Sequence, residues 1–302
     1  MSNIQANLQG LPIAAVERDT GLLKDTLRVW ERRYGFPQPL RDTNGERLYP
    51  ASQVDRLRQI KRLMDQGIRP GKIFTADADT LAQWLSGSTD NAEMPEHHRE
   101  LIELLRQQRG EDLRQMLQQS LLKQGLQRFV TELLAPLNAE IGLAWMRGEI
   151  SVSDEHLYTE QVQNTLRSAI HALHSPGGSP RILLTTFPDE LHSLGLLMAE
   201  AMLVPEGAHC TSLGTQTPLA DLLSAASTGH YDIVALSFSA NFPARQAWAG
   251  LAGLRRQLPN HIMLWVGGRH LCERPPAIAG LRYLAEIGDV VTVLAQWRAA
   301  QS

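Results

Sequence analysis

Three stretches in the C-terminal part of the sequence carry residue types suited to ligand chemistry. Glu190-Leu191-His192-Ser193-Leu194-Gly195 is followed after 41 residues by Ser237-Phe238-Ser239, and after 27 more by Gly267-Gly268. Imidazole is a good transition-metal ligand, and a carboxylate two residues earlier can hold the other ring N–H and raise the ring's basicity. Gly195, Ser237, Gly267 and Gly268 are small enough to leave a slot beside them. By itself His192 reads as a capping histidine at a helix start, and the companion stretches set it apart. Upstream, Trp145 is followed after nine residues by Glu155-His156. Taken alone, that tryptophan is core filler and the Glu-His pair a surface feature. Near the N-terminus, Lys24, Arg28, Arg32 and Arg33 fall on one side of a helical pattern. That basic face suits a major groove.

The elements that must position these residues follow from periodicity. From Ser179 onward, apolar runs (RILLTT, HCTSLG, YDIVALS, HIMLWVG and a weaker RYLA) alternate with helical patterns near 191–203, 217–228, 243–257 and 291–298. Such alternation predicts an α/β doubly wound parallel sheet. His192 then lies at its first strand-to-helix crossing, on the edge where open α/β sheets hold ligands. The VGGRH stretch lacks dinucleotide-fingerprint spacing and no GxxxxGK[ST] occurs, which argues against nicotinamide and nucleoside-triphosphate chemistry. Residues 96 to 173 carry nearly continuous helical patterning, broken at Gly110, Gly125 and 148–153, which predicts a four-helix bundle with Ser153 as N-cap of its last helix. Its short last loop lets Trp145, Glu155 and His156 converge at one end.

Residues 13–19 and 22–33 read as short helices around Thr20-Gly21, a helix-turn-helix pattern with Leu23, Leu27 and Trp30 or Tyr34 facing a core. Asn44-Gly45 predicts a hairpin wing carrying Arg41, Arg47 and Tyr49, ahead of a longer helix over 51–66. The expected organisation is a winged helix-turn-helix domain at 1–78, a polar linker at 79–95, the bundle at 96–176 and the α/β domain at 177–302.

Composition fits. The 302 residues are 43% hydrophobic, enough for more than one core. Net charge is −3, but residues 1–78 hold 13 Lys and Arg against 9 Asp and Glu, so a basic N-terminal module faces an acidic remainder. Cys210 and Cys272 are distant from each other and suggest neither a disulfide framework nor a zinc site. With no signal-like start and no long apolar run, the expectation is a soluble cytoplasmic protein without a membrane partner.

Residues of about 8 to 78, with LRxWERRYG, NGxRLY and LxxIKxLxxxGIxPGKI in order, resemble the MerR family of winged helix-turn-helix regulators. The resemblance implies double-stranded operator DNA as partner, contacts from Arg28, Arg32, Arg33, Tyr34, Arg47 and Tyr49, and a homo-oligomer (dimer or tetramer). The three C-terminal stretches are similar to the cobalamin-binding signature DxHxxG, SxL and GG, with Glu190 standing for Asp and Ser239 for Leu. That resemblance implies His192 as lower axial cobalt ligand and a slot for the cofactor's nucleotide base. The order of modules together with W-x9-EH resembles the light-sensing B12-dependent repressors of the CarH and LitR type. It implies adenosylcobalamin as chromophore, with Trp145, Glu155 and His156 enclosing the deoxyadenosyl group, and light-driven Co–C cleavage changing oligomeric state and DNA affinity. Relatives carry a histidine after that tryptophan, where this chain has Met146; a thioether is a poor ligand for oxidised cobalt, so His156, water or a different readout stands in its place. The alternative expectation is a light-independent cobalamin-sensing or cofactor-free regulator. An enzyme is disfavoured, because the chain has no barrel-sized substrate domain.

Overall fold

A computed structural model of the chain describes residues 10–65, 68–77, 80–81, 94–146, 149–173, 177–240, 242–272 and 275–301. The chain divides into two compact units, Met1–Arg99 with Glu140–Glu155, and Glu100–Ala139 with His156–Ser302.

In the first unit, β1 (Leu11–Pro12) leads into α1 (Ile13–Thr20) and α2 (Lys24–Tyr34). The turn between the helices is locally determined. Gly21 takes φ 68°, a left-handed conformation that favours glycine, and its N–H closes on the Glu17 carbonyl at 2.9 Å. Thr20 donates its hydroxyl to the Val16 carbonyl and accepts from the Leu22 N–H. Val16, Leu22, Leu27 and Trp30 form a core with Leu57 and Ile60 of α3 (Ala51–Asp65). Sequence spacing alone places Leu23 on that face. In the structure Leu22 is 3% exposed and Leu23 66%, because α2 begins only at Lys24 and the residue before it sits outside the helical phase.

The wing pairs β2 (Leu40–Arg41) with β3 (Arg47–Tyr49) in antiparallel register, Arg41 opposite Arg47, and β1 adds on the other side of β3. Gly45 takes φ 81° in the turn, and the Asp42 carboxylate accepts from the Asn44 and Glu46 N–H groups. After α3, the short α4 (Pro70–Thr75) stacks Phe74 on Tyr34 with ring centroids 4.3 Å apart.

The helices of the middle region are α5 (Glu96–Arg106), α6 (Gly110–Gln124), α7 and α8 (Val152–Leu173). α7 runs over Leu126–Arg128, passes through a π-helical stretch at Phe129–Leu134 and continues over Ala135–Met146. The cap of α8 is Ser151 and not the expected Ser153. Its hydroxyl accepts from the Asp154 N–H while the Asp154 carboxylate accepts from the Ser151 N–H at 2.7 Å, a reciprocal capping box. Also in the first unit, His98, 5% exposed, meets the Glu140 carboxylate at 2.8 Å.

The second unit centres on a five-stranded sheet of β4 (Arg181–Thr185), β5 (His209–Ser212), β6 (Ile233–Ser237), β7 (Met263–Gly267) and β8 (Leu281–Leu284), in spatial order β5-β4-β6-β7-β8 and parallel throughout. The connecting helices are α9 (Leu194–Leu203), α10 (Leu219–Thr228), α11 (Ala244–Gln257) and the short α12 (Arg269–Cys272), with α13 (Asp289–Gln301) at the end. Ile182, Leu183, Ile233, Val234, Leu264 and Val266 are all fully buried, as strands covered on both faces require. Chain order reverses between β4 and β6. This is the switch point at which the two connections leave in opposite directions and open a crevice at the strands' carboxyl ends. Polar bonds join the helices to this domain: Gln127 donates to the Met202 carbonyl, Asn138 to the Met198 sulfur, and Gln163 to the Ser193 hydroxyl.

Candidate cofactor and nucleic-acid sites

The switch point carries the first constellation. β4 ends at Thr185 and β6 at Ser237, so the loop bearing His192 and the segment Ser237-Phe238-Ser239 emerge from neighbouring strands. The His192 loop is held from below by Thr186, fully buried, whose hydroxyl donates to the Glu190 carbonyl at 2.7 Å and accepts from the Gln216 N–H. Asp189 takes φ 70°, which turns the chain so that Glu190 points inward and His192 outward. Thr186 was not singled out by sequence reasoning. The signal was a second hydroxyl at the end of an apolar strand, where nothing in the strand pattern needs one.

Glu190 is 1% exposed and its carboxylate is fully occupied. One oxygen accepts from the His192 backbone N–H at 3.0 Å and meets His192 Nδ1 at 2.6 Å; the other accepts from the Ser239 N–H at 2.8 Å and the Ser239 hydroxyl at 2.9 Å. Burial pushes the carboxyl pKa up, but the hydrogen bonds from the His192 ring, the His192 N–H and the Ser239 N–H outweigh it. The net position is below the ordinary 4.5. The carboxylate is therefore ionised, which makes Nδ1 the protonated nitrogen and directs ligation to Nε2 on the opposite side of the ring. The His192 side chain is 57% exposed.

Beside it lies a cavity of about 220 Å³, lined by Gly195, Leu196, Met198, Ser237, Trp265, Gly267 and Gly268 among others. Its shape depends on absent side chains. A Cβ on Gly195 would overlap the Ser237 hydroxyl oxygen, and one on Gly268, at φ 146°, would meet the Phe238 carbonyl at 2.9 Å. Ser237 and Gly267 are register partners on adjacent strands. The structure places Glu190, His192, Gly195, Ser237, Ser239, Gly267 and Gly268 together at one edge of the sheet.

Among the described residues no group of three or more His, Cys, Asp or Glu could cage a metal ion. One imidazole cannot hold a bare cation against water, so this donor set fits a metal already equatorially coordinated by a flat macrocycle, with a tail for the cavity. A glycine-lined slot, an outward imidazole and its buried orienting acid fit a corrinoid.

Trp145 lies at the end of α7 and Glu155 in the first turn of α8, both within the first unit; His156 belongs to the second. The Trp145 indole sits under the Arg58 guanidinium, 5.1 Å from the ring centroid. The side chain of Met146 lies outside the described residues.

In the N-terminal module Arg32 and Arg33 are exposed on α2, with Arg33 over the Tyr34 ring at 5.3 Å. Arg28 pairs with Asp25 at 3.1 Å, and Arg47 with Glu31 at 2.9 Å, tying wing to recognition helix. Tyr34 is half-buried. Tyr49, expected at the DNA, is instead 0% exposed in the core, because its place on β3 turns its ring toward α1 and α3. Its hydroxyl has no hydrogen-bond partner among the described residues, and burial raises its pKa. It has no surface to offer a phosphate.

These features define a winged helix-turn-helix regulator fused to a cobalamin-binding fold. Residues 11–76 match the MerR HTH family regulatory protein model, and residues 98–169 and 180–294 match two B12 binding domain models. The chain is 33% identical to the HTH-type transcriptional repressor CarH of Myxococcus xanthus over 84% of its length and 89% of that protein. It is 30% identical to the HTH-type transcriptional repressor CarA of the same organism over 97% of its length and 99% of that protein. The chain belongs to this family of MerR-type regulators with B12-binding domains. The Methanosarcina barkeri monomethylamine corrinoid protein superposes with a TM-score of 0.51 over 66% of this chain and 96% of that one, at 14% identity, which bears on the fold alone. No described helix is long and apolar enough to cross a membrane.

Proposed function

We propose that the protein is a light-responsive transcriptional repressor that takes adenosylcobalamin as its chromophore and acts on double-stranded DNA in the cytoplasm as a homo-oligomer. It is a regulator and not an enzyme. The observation that carries this is the Glu190–His192–Ser239 arrangement on the same sheet edge as the glycine-lined cavity, in a chain whose N-terminal module is a winged helix-turn-helix.

When bound, adenosylcobalamin supplies a cobalt–carbon bond that visible light can break. The chain's residues do the rest. His192 would offer Nε2 to the cobalt, and Glu190 keeps the proton on Nδ1 and fixes the ring. Gly195, Ser237, Gly267 and Gly268 keep the slot open for the nucleotide tail. By the family resemblance alone, Trp145, Glu155 and His156 would be the residues that meet the deoxyadenosyl group. Arg32 and Arg33 present positive charge to phosphates and base edges, with Arg28 and Arg47 beside them. A change on illumination shifts DNA occupancy only insofar as the two cofactor states differ in their affinity for the DNA-binding assembly.

The test is purification in darkness with adenosylcobalamin, followed by absorbance, size and DNA-shift measurements before and after green light. Expected are a cobalamin spectrum in the dark, a retarded DNA fragment, and a loss of both size and retardation after light. A protein that takes up no cobalamin sinks the reading, and one that takes it up yet binds DNA equally in both states is a light-independent sensor. His192→Ala should lose loading while the N-terminal module keeps its DNA affinity.

A further inference from the structure

β4 runs into two threonines, Thr185 and Thr186, both 0% exposed. Each spends its hydroxyl on the same neighbour, the segment 213–218 between β5 and α10. Thr185 donates to the Gly214 carbonyl at 3.0 Å, which leaves its oxygen to accept from the Thr217 hydroxyl at 2.6 Å. Thr186 accepts from the Gln216 N–H at 2.8 Å and passes its own proton to the Glu190 carbonyl at 2.7 Å, so it alone of the two joins that segment to the loop bearing His192. Its carbonyl also takes the Thr217 N–H at 3.2 Å. Both joined segments hold a non-glycine residue in the left-handed region, Gln216 at φ 60° and Asp189 at φ 70°. Such residues stay there only where their surroundings fix them. The Thr186 hydroxyl bonds the N–H of the first and the carbonyl of the residue that follows the second.

Glu190 is thereby braced from both neighbours of β4. In the strand order β5-β4-β6, its carboxylate is anchored on the β6 side by Ser239 and its main chain on the β5 side through Thr186. We infer that Thr186 is a positioning residue for the His192 imidazole: by fixing the Glu190 main chain it keeps the carboxylate at Nδ1, and it makes the segment 213–218 part of the support of the ligand-bearing loop. The cobalt ligation that this serves rests on the proposed function; the orientation of the ring does not. Loss of the hydroxyl leaves the Glu190 carbonyl and the Gln216 N–H without their partner at once, and the two segments relax apart to find others.

The test compares Thr186→Val with Thr185→Val in the full-length chain. Each loses one buried hydroxyl bonded to the same segment, and only the first loses a bond to Glu190. With histidine isotopically labelled at its ring nitrogens, the nitrogen resonances of His192, assigned by their absence in His192→Ala, report which nitrogen carries the proton in mildly alkaline solution without cofactor. The parent and Thr185→Val should hold it on Nδ1. Thr186→Val should gain the Nε2–H form that a free imidazole favours, and Thr186→Ser, which keeps the hydroxyl, should restore the parent pattern. Should Thr186→Val fail to fold, Thr186→Cys takes its place, since a thiol keeps the volume and donates only weakly. Dark adenosylcobalamin titrations should weaken about 10-fold in Thr186→Val, the low end for a residue that supports a metal ligand, and not in Thr185→Val. An unchanged proton position or an unchanged affinity in Thr186→Val, or the same changes in Thr185→Val, overturns the positioning role and leaves the proposed function standing. A parent that binds no cobalamin, while its Thr186→Val variant shows the shifted proton, overturns the functional reading and leaves the positioning of the ring in place.

Discussion

Glu190→Gln is the substitution that most sharply separates an orienting carboxylate from a merely buried one. Both oxygens of Glu190 accept from a backbone N–H, His192's at one end and Ser239's at the other. An amide has one accepting end. Whichever way it is placed, its NH2 faces an N–H donor, leaving one part-buried donor unpaired at about 1 to 3 kcal/mol. The Ser239 hydroxyl can rotate and accept, so the amide nitrogen turns that way and the cost falls near 1 kcal/mol, the low end of that range. The ring of His192 keeps a neutral acceptor at Nδ1 but loses the charge that raises its basicity, and such orienting partners are worth about 10- to 100-fold in metal affinity. Dark adenosylcobalamin titrations should therefore weaken about 10-fold or more, with the urea midpoint falling by only about 0.3 to 1 M, as about 1 kcal/mol at an m-value of about 1 to 3 kcal/mol/M requires. The native carboxyl also gives a pH signature. Its folded pKa lies below 4.5, so its contribution to stability is present in full above that value and is lost as pH falls through the depressed one. In Glu190→Gln that part of the acid-side loss disappears. A Glu190→Gln protein that binds adenosylcobalamin as tightly as its parent would refute the assignment of Glu190 as the residue that orients His192.

Two further substitutions address the DNA-binding module. Tyr49→Phe removes a buried hydroxyl with no hydrogen-bond partner among the described residues, so it should stabilise the protein by about 1 kcal/mol in urea titrations and leave DNA affinity unchanged; a fall in affinity would return Tyr49 to the residues that touch DNA. Arg32→Ala with Arg33→Ala should lower DNA affinity at low salt and reduce the slope of log K against log salt by about two, at roughly 0.9 for each phosphate no longer neutralised. Parallel slopes for mutant and parent would mean that these arginines do not touch phosphates.

Local chemistry is the legible part of this chain. The αL glycine at 21, the hairpin at Asn44-Gly45 and the alternation of apolar runs each follow from short-range preferences, and the elements form where those preferences put them. Sequence reasoning fails where two neighbouring residues have the same character and only packing chooses between them. Leu22 rather than Leu23 enters the core, and Ser151 rather than Ser153 caps α8. Tyr49 is misplaced for a related reason, since alternation in a three-residue strand cannot say which face is covered until α1 and α3 are known to lie over it. The Arg58–Trp145 pairing is beyond reach, because neither residue type is unusual on its own helix and only tertiary structure brings them together.

The site residues themselves are legible by spacing, but the meaning of the two departures from the family signature is not. In the sequence, Glu190 for aspartate and Ser239 for leucine read as separate weakenings of one pattern. In the structure they are a single arrangement: Glu190 reaches past the ring of His192 to Ser239, and Ser239 supplies both a backbone and a hydroxyl donor to the oxygen that arrives. Leucine at 239 would leave that oxygen only the backbone N–H, and aspartate at 190 would be one methylene shorter. The longer acid reaches the hydroxyl, and the hydroxyl adds a second donor to the oxygen that the Ser239 N–H already holds. The pair fixes the imidazole through a carboxylate anchored to β6's exit as well as to its own loop, so the ligand's orientation is set by the switch point of the sheet and not by the His192 loop alone.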